Sequence, residues 1–157
     1  MPLIRLETRI AAPVDRVFDL ARSIDAHSAS TTGTDERAVA GRTSGLIERG
    51  ETVTWEARHF GVRQKLTSRI TEMNRPEMFV DEMVRGAFSS IRHVHRFEQK
   101  GDLTLMHDEF QFSAPLGILG RLAEVLFLTR YMERFLRKRN AVLKALAESD
   151  GWRGFLQ

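Results

Sequence analysis

The sequence predicts an α+β fold, a curved antiparallel sheet packed on one long C-terminal helix, and three observations carry that prediction. From Leu116 to Ala147, apolar residues return at helical spacing. Ile118, Leu122, Val125, Met132, Leu136 and Leu143 share one stripe at ~3.6 residues per turn. Most of the chain before it alternates between apolar and polar side chains, as half-buried strands do. Two long alternating runs flank Lys100-Gly101-Asp102, which is hairpin chemistry. A helix over this span is on the order of 48 Å long at ~1.5 Å per residue. Its apolar stripe requires an equally broad apolar partner, and only a curved sheet can supply one. A sheet wrapped around one helix leaves space between them, and function is expected there.

Taken in order, Leu3 to Ile10 is a strand with Ile4, Leu6, Thr8 and Ile10 on one face and Arg5, Glu7 and Arg9 on the other. Pro13 suits the first turn of a helix, where its missing N–H costs nothing. Val14, Val17, Phe18 and Ala21 continue that helix. Asp25 is read as the cap of a second one, ending in a mobile loop at Ser28-Ala29-Ser30-Thr31-Thr32-Gly33. A meander follows: Glu36 to Ala40, Glu51 to His59 with Val53, Trp55 and Ala57 on one face, a turn at Phe60-Gly61, and Val62 to Met73. Asn74-Arg75-Pro76-Glu77 turns the chain into Met78 to Arg85, and Gly86 marks a bulge or bend. Phe88 to Gln99 and Leu103 to Ser113 complete the sheet. With Lys100-Gly101 as the connecting turn, Phe97 faces Thr104, His95 faces Met106, His93 faces Asp108 and Ile91 faces Phe110. His93, His95, Phe97, Met106, Asp108, Phe110 and Phe112 then share the inner face. Arg92, Arg96, Glu98, His107, Glu109 and Gln111 share the outer one.

The chain has 157 residues, 42% of them hydrophobic and 29% charged, which fits one globular domain with its own core. Residues 1–149 are read as that domain and 150–157 as a C-terminal tail. Without cysteine there are no disulfides, thiolate metal sites or cysteine nucleophiles. Arg5, Glu7 and Arg9 break the apolar run a signal peptide would need, so a cytoplasmic location is expected. The window Leu116 to Leu128 is interrupted by Arg121 and Glu124 and falls short of the ~20 residues of a membrane span. A formal charge of +3 and a pI near 9.8, without interleaved aromatic and basic residues, give no expectation of nucleic-acid binding. No phosphate loop, dinucleotide fingerprint or GxSxG elbow is present, so no cofactor is expected.

The order strand, two short helices, six-strand meander and long helix resembles the helix-grip fold of the SRPBCC superfamily, also called START-like or Bet v 1-like. Ile10-Ala11-Ala12-Pro13-Val14-Asp15-Arg16-Val17-Phe18 is similar to that family's first strand-to-helix junction. Gly86-Ala87-Phe88, His93-Val94-His95-Arg96-Phe97, Leu105-Met106-His107-Asp108 and Pro115-Leu116-Gly117-Ile118-Leu119-Gly120 resemble a bacterial ligand-binding, polyketide cyclase/dehydrase-like group. The resemblance implies a cavity between sheet and long helix for a hydrophobic or amphipathic small molecule. It implies no single activity, because members include lipid carriers, hormone receptors and aromatase/cyclases.

Within that frame Trp55, Leu66, Phe79, Met83, Phe97, Met106, Phe110, Phe112, Leu122 and Leu126 are the expected cavity wall. Aromatic and flexible Met side chains suit a tolerant pocket. His93, His95 and Asp108 are the polar candidates, and Asp81 joins them if its register turns it inward. A carboxylate beside an imidazole orients it for ligand hydrogen bonding or for acid/base work, and it also serves purely structural pairing. His93, His95 and Asp108 could ligate a metal, but no further ligand stands beside them in the sequence, and none is expected. The expected function is binding of the small molecule. The alternatives are a cyclase/dehydratase-type enzyme with His93 as acid/base and Asp108 orienting it, or a protein-interaction module built on the long helix. Its basic residues Arg130, Arg134, Arg137, Lys138, Arg139 and Lys144 read as a solvated face, with an anionic membrane or acidic partner as the alternative. The apolar run with Phe127 makes a homodimer contact or a cavity lid the candidate roles for the helix start.

Overall fold

The computed structural model describes residues 1–156. Its elements are β1 (Leu3–Ile10), α1 (Val14–Ala21), α2 (Ile24–Ser30), β2 (Arg37–Gly41), β3 (Thr52–His59), β4 (Val62–Asn74), β5 (Met78–Arg85), β6 (Ser90–Lys100) and β7 (Leu103–Ser113). They lead into α3 (Gly117–Ala123), a π-helical stretch (Glu124–Leu128) and α4 (Thr129–Glu148). The strands form one seven-stranded antiparallel sheet in the order β1-β7-β6-β5-β4-β3-β2, curved around the C-terminal helix. This is the helix-grip architecture.

Local chemistry explains the joints. Pro13 precedes α1, and the exposed Val14 N–H is met by the Gln99 side chain at 2.8 Å. The cap of α2 is Ser23, whose Oγ accepts the Ala26 N–H at 3.1 Å. Asp25 instead accepts the Gly45 N–H at 2.9 Å. The expected loop after it is helical to Ser30 and then forms a 3-10 turn, Thr32–Thr34, because the Ser30 and Thr31 hydroxyls bond back to the His27 carbonyl. At the β3–β4 turn Phe60 and Gly61 both take positive φ, as a tight two-residue hairpin requires.

Three expectations are corrected. In the β6–β7 hairpin the turn is Gly101-Asp102, with Gly101 at φ 59°, so Phe97 faces Met106, His95 faces Asp108, His93 faces Phe110 and Ile91 faces Phe112. The shift is an even number of residues, so the inner and outer faces are those expected. Second, the stripe on the long helix does not run its full length. Met132, Leu136 and Leu143 are buried, whereas Ile118, Leu122, Val125 and Leu126 face solvent. The π-helical stretch changes the angular phase between α3 and α4, and Glu124 turns inward to accept the Ala114 N–H at 2.6 Å. Third, the segment after residue 149 packs on the domain. Trp152, Phe155 and Leu156 lie against the core, and the Arg16 guanidinium sits 4.2 Å above the Trp152 ring.

The core is in two parts. Phe18, Phe79, Phe97 and Met106 belong to the larger, between α1, the sheet and the end of α4. Ile4, Phe110, Phe112, Met132 and Leu136 belong to the smaller. Between them lies the cavity.

Candidate functional site

A cavity of about 340 Å³ runs between the sheet and α4. Its walls are mostly apolar, from Trp55, Ala57, Leu66 and Ile70 on β3 and β4 to Leu128, Met132 and Phe135 on the helix. Phe60, Pro115 and Tyr131 stand at one end, where the Phe60 and Tyr131 rings lie 4.5 Å apart. Two polar pairs line the cavity, His59 with the Tyr131 hydroxyl and His27 with Glu36. Burial pushes the His59 pKa down and the Tyr131 pKa up.

The floor is a cluster built by strand register. Across β5, β6 and β7, Asp81 faces His93, which faces Phe110; one step along, Phe79 faces His95, which faces Asp108. Each imidazole therefore has a carboxylate on one side and a phenyl ring on the other. The hydrogen bonds run diagonally: His93 Nε2 donates to Asp108 Oδ1 at 2.7 Å, and His95 Nε2 donates to Asp81 Oδ2 at 2.8 Å. Phe79 stacks on His95 with centroids 4.2 Å apart. From α4, Arg139 Nη2 reaches Asp108 Oδ1 at 3.3 Å and Asn140 Nδ2 reaches its Oδ2 at 2.7 Å. Asp108 is 1% exposed and lies beneath the histidines, while Asp81, His93, His95 and Arg139 reach the cavity surface.

Electrostatics divides the roles of the two histidines. Burial and the neighbouring His95 push the His93 pKa down to about 4, against the pull of Asp108 and Asp81. His93 is thus neutral at pH 7, its Nε2 proton directed at Asp108 and its Nδ1 lone pair left free, 4.0 Å from Asp81 Oδ2. Burial also opposes charge on His95, but the carboxylates of Asp108 and Asp81 outweigh it and raise its pKa. Both carboxylates stay ionised. The cost of burying them is exceeded by the histidines and Arg139, which hold Asp81 low and Asp108 well below the usual range. His95 Nδ1 lies 3.4 Å from Asp108 Oδ1, off the line of a hydrogen bond, and has no hydrogen-bond partner among the described residues.

Asp81, His93 and His95 each offer a ligand atom, all within 4.8 Å of one another, a spacing that could accept a divalent ion. An ion there would take the place of the His95–Asp81 hydrogen bond. The carboxylate that completes this set is Asp81, which the sequence left open.

Of the expected wall, Trp55, Leu66, Phe79 and Phe110 line the cavity together with His93 and His95. Phe97, Met106 and Phe112 point the right way but are consumed by core packing, and Met83 packs beside the smaller core. Leu122 and Leu126 are exposed, for the helical reasons given above. Sequence reasoning misses Arg139 and Asn140 as site residues and places Arg139 on the basic surface. A signal is present: Met132, Leu136, Arg139/Asn140, Leu143 and Ala147 recur at helical spacing, so Arg139 and Asn140 interrupt the buried stripe.

The family model for polyketide cyclase / dehydrase and lipid transport matches residues 1–148. No curated protein matches the chain. Among solved structures, a Thermus thermophilus protein superposes with a TM-score of 0.72 at 19% identity, over 93% of this chain and 99% of its own. A START superfamily protein from Mycobacterium smegmatis gives 0.71 at 10% identity, over 93% and 97%. The ginseng major latex-like protein 151 from Panax ginseng gives 0.69 at 16% identity, over 94% and 98%. At these identities the likeness is one of fold. With nearly its whole length matched, the chain belongs to the polyketide cyclase / dehydrase and lipid transport family.

Proposed function

We propose that the protein binds a small amphipathic molecule whose apolar body fills the cavity and whose uncharged polar head meets the floor formed by Asp81, His93, His95 and Arg139. The observation that carries this reading is the pairing of an apolar wall with that buried polar floor. The partners already made select the head group. With His93 neutral, the carboxylates Asp81 and Asp108 are already engaged by His95 and Arg139, so a charged head would be buried without a free counterion. Asp81 and the His93 Nδ1 are acceptors, which suits a hydroxyl or enol donor. Acid/base catalysis by His93 has less support. A base with a pKa near 4 is poorly matched to neutral pH, and Asp108 is engaged by the helix.

The test is titration with the neutral fluorophore N-phenylnaphthylamine, followed by competition. Saturable uptake, displaced by decanol more effectively than by decanoate, supports the reading. Ala57→Phe, which adds a ring on the cavity wall, should reduce uptake while far-UV circular dichroism is unchanged. Equal uptake by this folded variant would refute the cavity as the site, and better displacement by decanoate would refute the uncharged head.

A further inference from the structure

A run of exposed apolar side chains lies at the cavity's end and is not explained by ligand binding. Leu116, Ile118, Leu119, Leu122, Val125 and Leu126 project from the start of the C-terminal helix, with Ile118 at 83% and Val125 at 82% exposure. The tip of the β3–β4 hairpin extends the patch. Phe60 and Val62 are exposed there, and Phe60 meets the Phe127 ring edge-on at 5.9 Å. Pro115 and Phe60 also line the cavity, so the patch is continuous with its opening. An apolar surface of this extent marks an interaction site.

The charges around it decide the occupant. At the β3–β4 tip Arg58 and Arg63 flank the turn; Arg58 is exposed, while Arg63 is held by Glu56 at 2.7 Å and lies 4.0 Å from Asp35. Residues 114–132 contain Arg121 and Arg130, both exposed, and one acid, Glu124, which is buried on the Ala114 N–H. The face is therefore apolar at its centre and carries the exposed Arg58, Arg121 and Arg130 at its edge, with Arg63 beside them paired to Glu56. A second copy of the chain would bring two faces with the same excess of arginine together across a two-fold axis. An anionic bilayer satisfies both features, taking up the apolar side chains at the acyl boundary and the arginines at the headgroups.

We propose that the helix start and the β3–β4 tip form a docking face for anionic lipid membranes, placing the cavity opening against the bilayer. The proposal does not depend on which molecule the cavity holds.

Cosedimentation with vesicles tests it. Wild-type protein should pellet with vesicles of phosphatidylglycerol mixed into phosphatidylcholine, weakly or not at all with phosphatidylcholine alone, and less as salt is raised. Each basic residue at the surface contributes about fivefold in affinity, so Arg121→Gln/Arg130→Gln should bind roughly 25-fold more weakly. Val125→Asp, at a solvent-exposed position that does not line the cavity, should abolish pelleting. Both variants should take up N-phenylnaphthylamine in solution like the wild type, which separates docking from cavity binding. Equal pelleting on neutral and anionic vesicles would overturn the proposal. So would no wild-type pelleting, including the case where sedimentation velocity finds a dimer that Val125→Asp dissociates.

Discussion

Asp108→Asn is the substitution most informative about the site's construction. The carboxylate is almost fully buried and takes donors from three side chains: His93 and Arg139 at Oδ1, Asn140 at Oδ2. An amide of the same shape offers one acceptor oxygen and one NH₂ group that can only donate. If its oxygen serves His93 and Arg139, its NH₂ group meets the NH₂ group of Asn140. Asn140 cannot simply turn over, because its oxygen accepts Arg139 Nη2 at 3.0 Å. The substitution also strips Arg139, itself buried, of its ion-pair partner. Breaking a buried pair in this way costs about 3–5 kcal/mol. For a chain of this size that corresponds to a fall in Tm of roughly 6–20 °C, at about 2–4 °C per kcal/mol. The assay is urea unfolding at pH 7 followed by tryptophan fluorescence, with a lower midpoint at unchanged slope. Asp150→Asn, at a surface pair with Arg153, is the control and should leave the midpoint in place. A loss below about 1 kcal/mol in Asp108→Asn would refute the view that this carboxylate anchors the floor.

Further outcomes follow from the same geometry. Between pH 6.5 and 4 the unfolded chain binds a proton at His93 that the folded chain refuses until about pH 4, so stability falls as pH drops through this window, by about 3 kcal/mol from His93 alone. His95 acts in the opposite sense. Its raised pKa contributes stability that is full below pH 6.5 and is lost as pH rises through its folded value. His93→Gln, whose amide can still donate to Asp108, should flatten the acid limb of a urea midpoint against pH series. An unchanged limb would show that another group produces it. Gly120→Ala should displace the Ala114-Pro115 turn, because a Cβ there would lie 1.9 Å from the Pro115 carbonyl oxygen. It should therefore weaken N-phenylnaphthylamine uptake as well as lower Tm, and wild-type values for both would contradict the packing described.

Much of the fold was readable because strand and helix periodicities differ. β1, β3 and β7 alternate cleanly, and the inner face of the last hairpin follows from that alternation alone. Its register was not readable. Lys100-Gly101 and Gly101-Asp102 both make plausible turns, and the two choices leave every side chain on the same face, so hydrophobic pattern cannot separate them. Glycine at the first turn position, with positive φ, decides it.

The site was legible only in part for related reasons. His93, His95 and Asp108 could be grouped from one hairpin, but placing Asp81 requires the β5–β6 register, and placing Arg139 requires the helix to be rotated onto the sheet. Arg139 follows Arg137 and Lys138 in the sequence, and a basic run hides the member that turns inward. Likewise Leu122 and Leu126 look buried by composition, while the π-helical stretch leaves them outside. Core and cavity residues share a face, so Met106 and Phe112 could not be told from Phe110 without the packing itself.

The central claim is that the space between sheet and helix holds one small molecule, and native mass spectrometry of the purified protein tests it most directly. The spectrum is recorded before and after equilibration with decanol, and any adduct is released by organic extraction. A single adduct per chain is expected, bearing an uncharged hydroxyl or enol head if it is carried through purification, and strongly reduced in Ala57→Phe. Only the bare polypeptide mass under both conditions, or multiple adducts equally abundant in Ala57→Phe, would contradict the claim.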